Sequence, residues 1–286
     1  MALFLSLLLN GLALGMLIFL IAVGLSLIFG LMGVLNFAHG AIFAWGAYVG
    51  WMVYTSTGSF LLAILAGTAA GFVIGWVMER VFIRAFYGNH VAQILLTLGL
   101  MIVMTEGIKA IWGPNILGFD PPTWLQGTVP ILGELFPIYR IFVIGVGLLV
   151  LIGVHLLLTR TKYGIIIRAG VQDPEMVQAL GINVKQVFSL VFAFGAALAS
   201  FGAVVAGPMF GSIVPEIGMT HQLNAFIVVV IGGTGNFIGA AVGALLVGLT
   251  QTFMAYYLPE AAVAVNVALM ALVLILRPQG LFGARR

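Results

Sequence analysis

The chain has 286 residues, 63% of them hydrophobic and 7% charged, with a mean hydropathy of +1.23. A water-soluble domain carries roughly 25% charged residues, so this composition excludes a soluble globular protein and leaves a chain that is nearly all membrane domain. The net charge of +3 has no basic face behind it, because Lys and Arg stand at the ends of apolar runs, which excludes nucleic acid as a partner; the lack of cysteine excludes disulfides, thiolate metal sites and thiol catalysis. A helix that crosses the hydrocarbon needs about 20 apolar residues. Residues 5–31 supply one, with Gly11 and Gly15 spaced for close approach by another helix. The first Lys or Arg is Arg80, so no cleavable leader is expected. GVLNFAHG (33–40) then interrupts the apolar sequence, and a shorter run follows over 41–54 with Gly46 and Gly50 at contact spacing. After a small turn, residues 60–78 cross with Gly67, Gly71 and Gly75 on one stripe, and residues 91–111 return despite Gln93, Thr97, Thr105 and Glu106.

Residues 112–140 form the longest connection between spans. Five prolines there forbid a continuous helix, and Trp112, Trp124 and Tyr139 suit an interfacial belt. Residues 141–158 span again, 159–185 break the apolar pattern with four cations, and 186–206 span back with a small face at Gly195, Ala199 and Gly202. Residues 207–221 read as an exterior turn. A short apolar run over 223–231 ends at GGTGNFIG (232–239), and residues 240–257 and 262–276 make the last spans.

The cations set the orientation. Loops 79–90 and 159–185 and the tail after Leu276 hold nine of the eleven Lys and Arg, which places them in the cytoplasm, with 112–140 outside and the N-terminus outside. The expected fold is an all-α integral membrane protein: one permease-like domain over 1–286, a polytopic bundle of about 8–10 membrane segments, some short or re-entrant. Within 159–185, Asp173-Pro174-Glu175 reads as a helix start, with Asp as N-cap and Pro in the first turn, and Gly181 as its stop. Shape alone leaves two readings open. The helix is a crossbar for a soluble partner, or the segment is a solvated turn whose charges only set topology.

Two breaks carry polar residues in apolar surroundings, NFAHGAIFAWG (36–46) and NFIGAAVGALL (236–246). Their likeness raises an internal repeat, as in transporters whose interrupted helices line the substrate path. The path reading takes Asn36, Phe37, His39, Thr234, Asn236 and Phe237; the bland reading is two interfacial turns. His39 is the one histidine weighed for transport. His90, His155 and His221 fall near span ends, and the four are not spaced as metal ligands, so no metal is expected and no cofactor either. Glu106 is expected to pair with Lys109. Neither a hydrolytic triad nor a complete phosphate-binding loop is present, since GGTGNFIG lacks the Gly-Lys-Ser/Thr ending; this chain is not read as an enzyme and cannot hydrolyse ATP alone.

Four blocks, in order, carry a family resemblance: GLSLIFGLMGVLNFAHGAIFAWGAY (24–48), TKYGIIIRAGVQDPEMVQALGINV (161–184), FIVVVIGGTGNFIGAAVGALLVG (226–248) and RPQGLFG (277–283). Over essentially its full length the chain resembles the LivH-type permease subunits of high-affinity branched-chain amino acid ABC transporters. The resemblance implies an importer of Leu, Ile or Val in a bacterial or archaeal cytoplasmic (inner) membrane. It implies a second, LivM-type permease, two cytoplasmic ABC ATPases and an extracytoplasmic substrate-binding protein as partners, besides the amino acid and membrane lipids. It also implies that 161–184 is the ATPase-coupling region, through Gly164, Arg168, Ala169, Asp173, Glu175, Ala179 and Gly181, although the full Glu-Ala-Ala signature of many importers is missing. Alternatives are a same-family permease for urea, amides or other amino acids, an ion-coupled secondary carrier, or a membrane enzyme. The carboxylates, all at span ends or in loops, weigh against the second, and the lack of convergent acid, base or metal groups weighs against the third.

Overall fold

The computed structural model describes residues 2–131 and 133–283; Arg285 and Arg286, two of the three cations expected to hold the tail in the cytoplasm, lie outside the described residues. The helices are α1 (Ala2–Met32), α2 (His39–Thr57), α3 (Phe60–Val81), α4 (His90–Trp112), α5 (Ile138–Arg160), α6 (Lys162–Gln172), α7 (Pro174–Ala179), α8 (Val184–Phe210), α9 (Ile217–Gly232), α10 (Phe237–Tyr257) and α11 (Ala262–Leu276). Among the described residues six are long and apolar enough to cross a membrane: α1, α3, α4, α5, α8 and α10. The shorter α2, α9 and α11 complete the set of about nine membrane segments expected from hydropathy.

Helix starts follow the side chains that can satisfy free N–H groups. Ser59, Asn89, Thr161, Asp173, Asn183 and Asn236 each accept a backbone N–H from the first turn of the helix they precede. Four described helices start without such a cap, α2 at Ala38, α5 at Pro137, α9 at Glu216 and α11 at Ala261.

Between apolar helices in a membrane, packing rather than water exclusion drives association, so small residues decide which helices meet. The Gly67, Gly71 and Gly75 stripe of α3 faces Val204, Ser200 and Ala196 of α8. Gly11 and Gly15 of α1 face Leu249 and Leu245 of α10, and Gly46 and Gly50 of α2 face Ser200 and Val204. Gly24 meets Gly195 where α1 and α8 cross at the centre of the core.

These contacts form a pattern. α10 lies along α1 as α3 lies along α8, and α9 packs on α1 as α2 packs on α8. Because α1 and α8 run antiparallel, α1–α4 and α8–α11 are two sets of like order and opposite direction, an inverted repeat. This corrects the pairing drawn from the two Asn-Phe segments: α2 answers to α9, and α10 answers to α3. The recurrence has another cause. Asn36 Oδ1 accepts the N–H of Ala38 in the turn before α2, and Asn236 Oδ1 accepts that of Gly239 as the N-cap of α10, so each Asn shapes a turn that leads into a helix.

Four short strands qualify the all-α expectation. They are β1 (Leu117–Gly118), β2 (Thr128–Ile131), β3 (Glu134–Pro137) and β4 (Ser212–Ile213). The proline-rich 112–140 connection holds the antiparallel β2–β3 hairpin, and its β1 pairs with β4. Trp51 Nε1–H donates to the Gly118 carbonyl at 2.7 Å, and Phe119 is buried beneath, against Gly207. The exterior turn expected over 207–221 shrinks to 211–216. α8 continues through Pro208, which sits inside the helix and leaves the Val204 carbonyl without its i+4 donor, and α9 begins at Ile217.

Candidate functional site

After α1 the chain turns back, and α2 begins beside Ile21 and Gly24, where His39 Nε2 lies 3.2 Å from the Ile21 carbonyl. From Gly24 to Met32 is about 12 Å along α1, and from Val184 to Gly195 about 17 Å along α8, at ~1.5 Å per residue. In a hydrocarbon core of about 30 Å, α2 therefore starts near the middle. α9 starts there too. Gly40 and Gly218, the second residues of α2 and α9, touch backbone to backbone, and a Cβ on either would overlap the other's carbonyl.

Two helix N-termini without side-chain caps thus meet near mid-depth, each with a partial positive charge; the N–H groups of His39, Ile217 and Met219 reach back to the Asn36, Val214 and Glu216 carbonyls. Around them sit polar groups without a protein partner. The Asn36 carbonyl accepts Nε2–H of Gln222 at 3.1 Å, and Asn36 Oδ1 accepts the Ala38 N–H at 3.0 Å. Among the described residues Asn36 Nδ2, Gln222 Oε1 and His39 Nδ1 have no hydrogen-bond partner, and all three side chains are buried. The Phe37 N–H donates to Thr97 Oγ1, and its ring packs 4.9 Å from that of Phe226. Sequence reasoning missed Gln222 and Thr97 here; the available signal was a polar residue in an otherwise apolar helix. His221 lies in the second turn of α9, within the helix rather than in the exterior turn expected over 207–221, with its ring between those of Phe43 and Phe210.

The second break is elsewhere. Gly235 touches Gly30, in the last turn of α1, and Asn236 Nδ2–H donates to the Phe282 carbonyl at 3.1 Å. The N–H groups of Leu281 and Phe282 donate to the carbonyls of Ile231 and Gly232. Phe237 packs against His155, and Thr234 is exposed. Thr234, Asn236 and Phe237 are therefore grouped with the C-terminal segment at the basic end of the bundle. The structure does not bring them beside Asn36, Phe37 and His39.

At the same end, the 159–185 segment folds as two helices. Thr161 caps α6, and Gly164 lies buried against the Leu157 and Leu158 carbonyls, leaving no room for a side chain. Asp173 Oδ1 accepts the Met176 N–H at 2.9 Å, while the Asp173 N–H reaches back to the Ala169 carbonyl. Pro174 opens α7 and Glu175 lies in its first turn; Gly181, at φ +82°, follows its end in a conformation that favours glycine. Arg168, Asp173, Glu175, Ala179 and Gly181 are exposed. So are apolar Tyr163, Ile165, Met176 and Leu180, the last 73% exposed.

A fourth feature was not foreseen. Glu79, read in the sequence only as a span-end acid, is fully buried. Arg84 pairs with it through two nitrogens, Nε at 3.2 Å and Nη2 at 3.0 Å, and the Tyr87 hydroxyl donates to it at 2.6 Å. Arg84 Nη2 also donates to the Ser189 hydroxyl and the Lys185 carbonyl. The pair thus ties the end of α3 to the start of α8. Burial first, then the hydrogen bond to Glu79, hold the Tyr87 phenol well above its ordinary range, so it stays a donor; the bond to Glu79 raises Arg84. Near the opposite end, Lys109 bridges Glu106 at 3.0 Å, as expected, and Glu216 at 2.9 Å. Among the described residues no three His, Cys, Asp or Glu side chains gather as a metal site.

Comparison with known proteins agrees with this architecture. The chain is 32% identical to the high-affinity branched-chain amino acid transport system permease protein BraD of Pseudomonas aeruginosa, over 98% of this chain and 96% of the relative. It is 30% identical to LivH of Escherichia coli K12, over the same shares. The solved structure of PsaBC from Streptococcus pneumoniae in complex with Fab shares the fold with a TM-score of 0.52 at 13% identity, covering 96% of this chain and 92% of that one. Residues 7–276 match the family described as branched-chain amino acid transport system / permease component. An inverted repeat of membrane helices, two broken at mid-depth, thus carries the sequence of that family throughout, and this multi-pass membrane protein belongs to it.

Proposed function

We propose that this chain is the translocation subunit of an ATP-driven importer of Leu, Ile or Val. It works beside a second related permease, receives substrate from an extracytoplasmic binding protein, and is driven by two cytoplasmic ATPases through α6 and α7. The observation that carries the coupling role is the capped α7 itself. A six-residue helix with Asp173 at its start and Gly181 after its end holds Met176 and Leu180 outward at the basic end. Exposed apolar side chains on a rigid charged element form a docking surface for a soluble partner. Arg168, Glu175 and Ala179 lie exposed around it, while Gly164 packs α6 against α5 and the Ala169 carbonyl, accepting the Asp173 N–H, joins α6 to α7.

The amino acid brings both charges into a low-dielectric setting, so it needs polar partners without fixed charge. The α2–α9 junction supplies them. The partial positive charge of two helix N-termini suits a carboxylate, and Asn36, His39 and Gln222 offer polar atoms beside Phe37. The site is closed in this state by the Gly40–Gly218 contact, and opening it requires α2 and α9 to part. Thr234, Asn236 and Phe237 form the path's exit at the basic end, where the C-terminal segment holds Asn236 and leaves Thr234 exposed. ATPase closure moves α7, and the interlocked helix sets rock as rigid bodies. The double replacement Arg168→Ala and Gly181→Ala is expected to leave the complex assembled while uptake no longer follows ATP hydrolysis. Normal uptake by that variant in proteoliposomes would overturn the coupling role.

A further inference from the structure

We propose that the cleft between α3 and α5 at the basic end is a binding site for one anionic phospholipid, its phosphate against Arg80 and Lys185 and an acyl chain along α8. Two adjoining cavities make up the cleft. The first, about 390 Å³, has Arg80, Arg84 and Lys185 among its lining residues and no carboxylate. The second, also about 390 Å³, is almost wholly apolar, walled by residues such as Leu27, Phe72, Leu157, Ile167 and Phe194. Asn183, Gln186 and Leu190 line both, so a polar chamber continues directly into a greasy one.

The charge balance selects the headgroup. Arg84 is already committed to buried Glu79. Among the described residues neither Arg80 nor Lys185 forms an ion pair, and both are exposed. Arg80 is held over the Trp76 ring at 5.0 Å, where an interfacial aromatic and a cation flank a headgroup. Basic pockets between helices at the cytoplasmic face are recognised acceptors of anionic headgroups.

The dimensions select a lipid rather than a free anion. The α8 floor from Gln186 to Phe194 rises about 12 Å, close to the ~15 Å depth of one leaflet. Leu190 is 51% exposed on a helix whose other faces are packed, because no helix covers it in the gap between α3 and α5. A second apolar groove continues upward past Phe72 and Phe194. Tyr163, Ile166 and Ile167 of α6 also line the lower chamber. A seated chain therefore supports the helix that leads into α7, so headgroup chemistry tunes how firmly the 162–179 segment is held.

Bromolipid quenching tests this on the purified transporter complex in phosphatidylcholine nanodiscs. Dibrominated phosphatidylglycerol or dibrominated phosphatidylcholine is added at equal mole fraction, and the Trp76 signal is the quenching that Trp76→Phe removes. Phosphatidylglycerol is expected to quench at much lower mole fraction. Replacing both cations, Arg80→Gln with Lys185→Gln, is expected to cost about 30-fold in that preference, two basic contacts at their usual worth. Leu190→Phe, which fills the groove without adding a fluorophore, is expected to abolish quenching with the cations intact. Equal quenching by both lipids would overturn the proposal. So would displacement of the brominated lipid by millimolar inorganic phosphate, which would indicate an anion site alone. Absence of Trp76 quenching by either lipid would mean that a protein subunit covers the cleft, and would equally overturn it.

Discussion

Arg84→Ala isolates a carboxylate that the fold cannot leave unpaired. Glu79 is fully enclosed, and without Arg84 its neighbours reduce to the Tyr87 hydroxyl. Breaking a buried pair from one side costs about 3–5 kcal/mol, because the remaining charge has lost its compensation. Tyr87→Phe removes one hydrogen bond to a charged acceptor and is expected to cost about 1.5–3 kcal/mol. At roughly 2–4 °C per kcal/mol, the Arg84 variant should melt on the order of 10 °C below the parent. Five tryptophans make intrinsic fluorescence a direct readout of melting in detergent. The double variant Glu79→Gln with Arg84→Ala removes the stranded charge and should recover part of the loss, so the two changes are strongly non-additive. An Arg84→Ala protein that melts within about 2 °C of the parent, or a double variant whose loss equals the sum of the single losses, would refute the reasoning that this pair holds α3 to α8.

Other outcomes follow from single contacts. Gly71→Ala places a methyl group into Ser200 and 2.8 Å from the Ala196 carbonyl, and should destabilise by about 1–3 kcal/mol in a thermal melt, whereas Gly99→Ala, with nothing nearby, should be neutral. Asp173→Ala removes the α7 cap, worth about 1 kcal/mol locally. Its expected signature is faster amide exchange over 174–179 and weaker substrate stimulation of ATPase activity, with the global melt unchanged. Gln222→Leu leaves the buried Asn36 carbonyl with only the longer His39 N–H contact at 3.4 Å, a loss of about 0.5–1.5 kcal/mol, and should depress uptake more than assembly as scored by co-purification.

Hydropathy and small-residue spacing made most of this fold legible. The ends of α1, α3, α4, α5 and α11 fall within a few residues of the apolar runs, and the glycine stripes of α1, α2 and α3 are interfaces. Asp173 and Gly181 marked α7 because capping is local chemistry that sequence displays directly. Three things were not legible, each because it depends on distant parts of the chain meeting. The pairing of α2 with α9 shows in the Gly40–Gly218 contact, while the more visible Asn-Phe recurrence reflects only helix starts. Asn36 and Asn236 carry alike sequence but sit at different depths, which the turn after α1 decides. Glu79 counted as a span-end acid until the 3-10 turn over Ile83–Phe86 brought Arg84 and Tyr87 back onto it.

The absence of cysteine makes the central claim directly accessible, since Met176→Cys carries the only thiol in this chain. In membranes holding the assembled transporter, a membrane-impermeant maleimide should label residue 176 only after the cytoplasmic face is opened. A short bifunctional reagent at that position should link the chain to an ATPase subunit, with yield changing when ATP is bound. Labelling from the outside of sealed cells, or a residue 176 that never links to an ATPase in an active complex, would contradict the account.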